Sequence, residues 1–282
     1  MAKTALMKIW DVQLGLAIHV KAPNGKYLVI DLGSTNDISP LQSLRHANVG
    51  YMVITHPHLD HFSDIDNIDN ARPTVLWRCH SYSRDELLTG IRESDRSKIT
   101  SYCDFVESYS GTLTEAQNPR KETLLGGLTA EVFSTTICDK IKKNNFSAIV
   151  VLKLGNAKIV VCGDNEKESF TELMKNDSFR TAVANSWILI APHHGRESGY
   201  YEDFVNLVSP DLTVISDTNN TETSVASKYS AKSKGYDVYN ASTHKNEKRN
   251  CLTTRADGNI EIEFGESDDS RYIGYLHVET HK

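Results

Sequence analysis

Short apolar runs bounded by turn residues dominate the chain, and their lengths predict strands. Leu16–Val20 and Tyr27–Ile30 are joined by Pro23-Asn24-Gly25-Lys26, and Asn-Gly between such runs marks a hairpin because both turn residues take positive φ. A third run, Tyr51–Ile54, stops abruptly at Thr55-His56-Pro57-His58. After a polar stretch of mixed sign, strand signals return at Leu128–Phe133, Ser147–Leu152, Lys158–Cys162, Trp187–Ala191, Leu212–Ser216 and Tyr236–Asn240. A closing hairpin is expected between Cys251–Thr254 and Ile260–Phe264, around Asp257-Gly258. Helical spacing occurs near Ser83–Ile91, Ile99–Tyr109, Tyr201–Leu207 and Ser224–Ser233, the last stopping at Gly235. Strands with helices in two places predict an α/β fold, a four-layer αββα sandwich of two packed sheets. No repeat or Pro/Gly/Ser-rich linker interrupts it. One domain is therefore expected over 1–282, with a polar insertion of helices and loops at about 64–122 laid over the sheet.

Composition narrows the class. With 39% hydrophobic and 24% charged residues in 282, the chain reads as an ordinary globular protein. No apolar run approaches the ~18 residues of a membrane span, and the first residues carry no apolar signal segment. Five scattered cysteines make neither a disulfide framework nor a CxxC zinc site, so reduced thiols and a cytoplasmic location are expected. Against 37 acidic residues stand 31 basic ones, a net charge of −6, which excludes a wholesale basic coat for duplex DNA but not a local patch.

The candidate chemistry lies in the histidines. His56-Pro57-His58-Leu59-Asp60-His61 packs four potential metal ligands directly behind an apolar strand. In an extended segment His56 and His58 point the same way, and Asp60 and His61 reach a neighbouring point as the chain turns. Imidazole with carboxylate is the ligand set of hydrolytic zinc, or of manganese where oxygen ligands share the site. Two further strand runs end in Gly163-Asp164 and in Pro192-His193-His194-Gly195. In layered α/β folds such strand ends gather at one rim. Asp64 and Asp66 read as helix starters, Trp10, Trp77 and Trp187 as core or rim, and Cys162 as buried strand cysteine.

Taken in order, the opening hairpin, HxHxDH, Gly-Asp and late histidine resemble the metallo-β-lactamase fold hydrolases over most of the chain. More narrowly the chain is similar to the hydrolase domain of ComEC-type DNA-uptake proteins and their free-standing relatives. Asp11-Val12-Gln13-Leu14-Gly15, Asp31-Leu32-Gly33, Pro192–Gly195 with Ser198, and Thr253-Thr254 with Gly258-Asn259-Ile260 carry that likeness. The usual Gln-Gly-Asp of the first strand is here Gln13-Leu14-Gly15-Leu16, and no third histidine stands between the motif and Asp164 except His80. The resemblance implies two divalent ions, Zn2+ or Mn2+, or one if the first site is incomplete and His80 or water must complete it. His56 and His58 would hold one ion, Asp60 and His61 the other, Asp164 would bridge them, and His193 would complete the second site. Asp60, His61 and Asp164 would then be catalytic, with Asp60 orienting a metal-activated hydroxide. His194 is the alternative ligand to His193, and otherwise a contact to substrate or to a ligand.

Two dications with two aspartates and a hydroxide leave such a centre at about +1, which favours an anionic substrate. Arg196 and Ser198 are candidate phosphate contacts, and His244 a candidate general acid at the rim. Lys228, Lys232, Lys234, Lys245, Lys248 and Arg249 against Asp237 and Glu247 give residues 228–249 a local excess of basic charge, which suits either a nucleic-acid backbone or a solvated helix face and loop. The expected activity is hydrolysis of a phosphodiester, as a phosphodiesterase or nuclease acting on nucleic acid or nucleotide. The alternatives are a lactone, thioester or β-lactam hydrolase on the same fold, or a non-catalytic metal-binding subunit of a larger assembly. Membrane association is not expected, and partner proteins or a homo-oligomer remain open.

Overall fold

The computed structural model describes residues 2–218, 224–269 and 274–282. In chain order the strands are β1 (Thr4–Ile9), β2 (Ala17–Lys21), β3 (Tyr27–Leu32), β4 (Val49–Ile54), β5 (Val75–Arg78), β6 (Thr129–Phe133), β7 (Ile149–Leu154) and β8 (Ala157–Val161). They continue as β9 (Ile188–Ile190), β10 (Leu212–Ile215), β11 (Tyr236–Asn240), β12 (Lys245–Arg249), β13 (Cys251–Thr253), β14 (Asn259–Gly265) and β15 (Tyr275–His281). The helices are α1 (Arg84–Leu88), α2 (Glu93–Glu107), α3 (Lys167–Leu173), α4 (Asp177–Val183), α5 (Glu202–Val208), α6 (Ala226–Lys232) and the single turn α7 (Thr254–Asp257). No described helix is long and apolar enough to cross a membrane.

Two sheets result, a nine-stranded one ordered β12-β11-β15-β14-β1-β2-β3-β4-β5 and a six-stranded one ordered β13-β10-β9-β8-β7-β6. Side chains alternate across each strand, and here both faces are covered. Along β7, Val150, Leu152 and Leu154 enter the core between the sheets, while Ile149 and Val151 meet the helices outside. Tyr51 and Val53 of β4 share the inner core, and Met52 and Ile54 pack with α2 through Tyr102, Phe105 and Val106. Strands buried on both sides need apolar residues at every position, which is why these segments read as continuous runs rather than alternating ones. The helices α3–α6 cover the small sheet through Phe170, Phe179, Phe204 and Tyr229. The order of layers is helix, sheet, sheet, helix, as the runs predict.

Two expectations about the elements need correction. The polar stretch at 64–122 is not only helices and loops: Val75–Arg78 adds β5 in parallel beside β4, with Val53 opposite Trp77. Nor do Cys251–Thr254 and Ile260–Phe264 form a hairpin. β13 joins β10 in the small sheet and β14 joins β1 and β15 in the large one, because α7 carries the chain from one sheet to the other. Asp257 holds that turn by accepting from Thr253 N and from the Arg249 guanidinium. All five cysteines are free, and Cys162 is fully buried, as its strand position requires.

Candidate metal centre

The site is assembled where parallel strands end. β3 and β4 run parallel in the large sheet, and β8, β9, β10 and β13 in the small one, so the carboxyl ends of each group share a rim. Ala148 N donates to Thr55 O at 2.9 Å and joins the two rims, and His193 N donates to Gly163 O at 2.9 Å and joins the β8 and β9 exits. The segment after β4 turns at once into a 3-10 turn at Leu59–His61. Gly15 lets that turn come close: it adopts φ +112°, and a Cβ there would lie 2.1 Å from the Asp60 carbonyl oxygen.

Asp60, His61, Asp164 and His194 converge, each offering one ligand atom within 4.8 Å of the others. His61 Nε2 lies 3.2 Å from Asp164 Oδ1 and 3.8 Å from Asp60 Oδ2. His194 Nε2 lies 3.4 Å from Asp164 Oδ1 and 3.5 Å from Asp60 Oδ2. Atoms bound about 2.0–2.1 Å from a tetrahedral zinc stand about 3.3 Å apart, so these spacings suit a cation at the centre. Both Nε2 atoms are buried and make no hydrogen bond. Their tautomer follows from the other ring nitrogen. His61 Nδ1 faces Asp31 Oδ2 at 2.7 Å, and His194 Nδ1 donates to the Ser216 carbonyl at 2.9 Å. With Nδ1 donating, each neutral ring turns an Nε2 lone pair inward. Two orphaned lone pairs facing two carboxylates are what a divalent cation satisfies.

Electrostatics agree with that reading. Burial alone disfavours charge on His61, yet Asp164, Asp31 and Asp60 outweigh it and hold the ring well above its ordinary value. His194 is raised to about 9 by Asp164 and Asp60 against the same burial. For Asp164 and Asp60 burial favours the neutral acid, but the two imidazoles prevail and both carboxyls fall below the usual range. The four groups together favour a positive charge at their centre. His56 and His58 are lowered, chiefly by burial, which keeps them in the neutral form that binds metals.

A second set of donors faces the other Asp164 oxygen. His56 Nε2 lies 3.7 Å from Asp164 Oδ2 and 3.0 Å from His58 Nδ1. His80 does not join them; it is exposed on the β5 side and bonded to Arg78 at 2.9 Å.

The structure places the two histidines of the pair differently. His194, not His193, reaches the four-residue group. His193 and His194 both take left-handed backbone, φ 47° and 53°, so consecutive side chains leave in directions that strand alternation does not describe. Such conformations cost about 1–2 kcal/mol per residue and are retained where a site requires them. His193 turns instead to Glu166 Oε1 at 3.1 Å and Ser198 Oγ at 2.8 Å through Nδ1. Its Nε2 accepts from Arg196 Nη1 at 3.3 Å and Asn144 Nδ2 at 3.4 Å. Arg196 and Ser198 thus lie beside the group, one residue away through His193.

His244 is not brought there. It occupies the exposed turn between β11 and β12 and is bonded to Tyr239 at 3.1 Å. The basic tract is largely neutralised: Lys228, Lys232, Lys234 and Arg249 pair with Glu197, Glu202, Asp211 and Asp257. Asp64 holds Ser39, Leu41 N and Asn67 and stays outside the cage. One contributor, Asp31, stands in the sequence only as part of the Asp31-Leu32-Gly33 pattern, with no role at the site. The signal was an aspartate ending a buried run, where burial demands a partner.

A search of curated proteins finds no match. Solved structures with a similar fold include YhfI from Bacillus subtilis, described as a metallo-beta-lactamase fold protein (11% identity, 90% of this chain and 98% of that one, TM-score 0.46). A diphosphatase from the PhnP family follows at 11% identity, 93% and 99% coverage and TM-score 0.45. Zn(2+)-bound PqqB from Methylobacterium extorquens is similar at 14% identity, 73% and 77% coverage and TM-score 0.43. The family model of the metallo-beta-lactamase superfamily, whose members are mostly metal-dependent hydrolases, matches residues 15–216, and the chain belongs to that superfamily.

Proposed function

We propose that this protein is a metal-dependent phosphodiesterase or nuclease whose centre is the Asp60, His61, Asp164 and His194 group. The observation that carries the reading is the pair of buried, unpartnered Nε2 atoms of His61 and His194 facing two carboxylates at tetrahedral spacing. These four residues would hold a divalent cation, which would supply Lewis-acid polarisation of a phosphoryl oxygen and a more acidic water.

The protein's own groups do the rest. Asp31 and the Ser216 carbonyl hold the Nδ1 protons of the two imidazoles, so that Nε2 is the atom each ring turns to a metal once its proton there is lost. Asp60 is the most exposed member of the group, with 27% of its side chain accessible, and stands where it can orient an incoming water. Asp164 offers one oxygen to each histidine set, which suits a shared ligand if a second ion sits with His56 and His58. The choice of phosphate over a neutral ester rests on Arg196, which touches His193 and has no carboxylate partner among the described residues.

The test is hydrolysis of bis-p-nitrophenyl phosphate with Mn2+ or Zn2+, beside a panel of lactones, thioesters and β-lactams. Turnover of the diester that is lost with chelator and in Asp60→Ala supports the reading. Turnover of the neutral esters alone replaces it, and diester turnover that survives full chelation removes it.

A further inference from the structure

Cations near a protein surface ordinarily find a carboxylate, and those around Arg196 do so. Lys142 Nζ lies 3.0 Å from Glu168 Oε2, Lys228 Nζ lies 2.7 Å from Glu197 Oε2, and Lys167 Nζ lies 3.7 Å from Glu197 Oε1. Arg196 alone of these four has no carboxylate partner among the described residues. Its Nη1 stands 3.3 Å from His193 Nε2, while the Glu166 carboxylate sits at the other ring nitrogen, 3.1 Å from Nδ1. With Nδ1–H donating to Glu166, Nε2 offers a lone pair to the guanidinium, and a neutral ring separates the two charges. An ion pair would orient Arg196 and cancel its charge together. The imidazole orients it and leaves the charge uncancelled.

Each member of this series is anchored. Glu166 N donates to the side chain of Asn145, which is fully buried. Ser198 Oγ lies 2.8 Å from His193 Nδ1, and Asn144 Nδ2 lies 3.2 Å from Glu166 Oε1 and 3.4 Å from His193 Nε2. Arg196 N donates to the His193 carbonyl at 2.9 Å, and the Arg196 backbone is bridged to Ser224. The series also adjoins the metal centre at two points. Glu166 follows Asp164 by two residues, and the centre of the His193 ring is 6.2 Å from that of His194. The guanidinium therefore stands one imidazole away from the cage.

We propose that Glu166 and His193 are positioning residues, which hold the Arg196 guanidinium through the imidazole so that it receives a phosphoryl group of the substrate beside the metal centre. Glu166 fixes the ring, the ring fixes the guanidinium, and only the guanidinium meets the anion. A forked, pre-oriented donor set loses less freedom on binding a phosphate than a loose side chain does. The assignment rests on the phosphodiesterase reading and deepens it, but its test does not depend on turnover.

The metal-loaded protein is titrated with inorganic phosphate by calorimetry, and bis-p-nitrophenyl phosphate hydrolysis is followed on the same preparations. His193→Phe and Arg196→Ala should each weaken phosphate binding about tenfold with metal content unchanged, and the double variant should be no weaker than either single one. KM for the diester should rise by a similar factor while kcat changes less. His193→Gln, whose amide can accept from Arg196 and donate to Glu166, should restore most of the loss. Coupled losses in phosphate binding without diester turnover keep the positioning role and remove the phosphodiesterase reading. Diester turnover with wild-type phosphate affinity in His193→Phe, or losses that simply add in the double variant, overturns the positioning role and leaves that reading intact. Loss of metal or of the folded far-UV spectrum in His193→Phe, repeated in His193→Gln, makes His193 a ligand or a structural residue and also overturns it.

Discussion

The Asp31 carboxylate meets His61 Nδ1 at 2.7 Å because the strand carrying Asp31 bulges at that residue. Ile18 pairs with Ile30 and Ala17 with Leu32, leaving Asp31 as the extra residue, with φ 57°. A bulge re-aims one side chain and bends the strand, and aspartate tolerates left-handed backbone better than most residues. Asp31 also accepts from Thr55 N at 2.6 Å and Thr55 Oγ1 at 2.7 Å, so its remaining bond is a donation from the histidine ring.

Asp31→Asn should therefore leave the four ligand groups in place but free the His61 ring to turn or change tautomer. Loss of such a supporting partner costs metal affinity by about 10–100-fold. Competition with a chromogenic chelator measures it, and an unchanged affinity would show that His61 needs no support from Asp31.

The histidine pair can be told apart by metal content. His194→Ala removes one of the four ligand groups and should lower retained zinc or manganese sharply. His193→Ala should keep the metal, since that ring is engaged by Glu166, Ser198, Arg196 and Asn144. The reverse result would restore His193 as the ligand.

Gly15→Ala should disturb the same turn from the other side. A methyl group would meet the Asp60 carbonyl oxygen at 2.1 Å in a backbone conformation that alanine resists. A loss of about 2 kcal/mol or more in urea unfolding is expected, together with weaker metal binding. Unchanged stability would mean that the loop at Asp11–Gly15 gives way freely.

The pH dependence of the metal-free protein has a definite sign. His194 is raised from 6.5 to about 9 in the folded chain, and His61 is raised in the same sense. Their contribution to stability is full below pH 6.5 and is lost as pH climbs through about 9. Asp60 and Asp164 shift downward, so their contribution is lost only in acid, outside this window. Chelator-treated protein should unfold at lower urea concentration at pH 9 than at pH 6, and metal affinity should rise over the same interval as the rings give up their protons. A urea midpoint that is flat across this range would contradict the assignment.

How much of this was legible before folding depends on distance along the chain. HxHxDH is local: a strand end followed by a tight turn brings His56, Asp60 and His61 into reach, and residue order alone carries that. Asp164 was recognisable because a buried run ends on it. His193 and His194 were recognisable as a pair but not by role, since two consecutive left-handed residues decide which ring faces the cage. Asp31 depended on a bulge and on the parallel register that sets Ile30 beside Val53. The false hairpin at residues 251–264 had the right turn chemistry, yet which sheet each strand joins is settled by pairing with β10 and β1 far away in sequence.

The measurement that bears most directly on the centre is anomalous diffraction at the zinc edge from crystals of the zinc-loaded protein. A peak bounded by Asp60, His61 Nε2, Asp164 and His194 Nε2 is expected. Zinc bound instead at His193 and Glu166, or no peak between those four residues in a protein that still hydrolyses its ester, would contradict it.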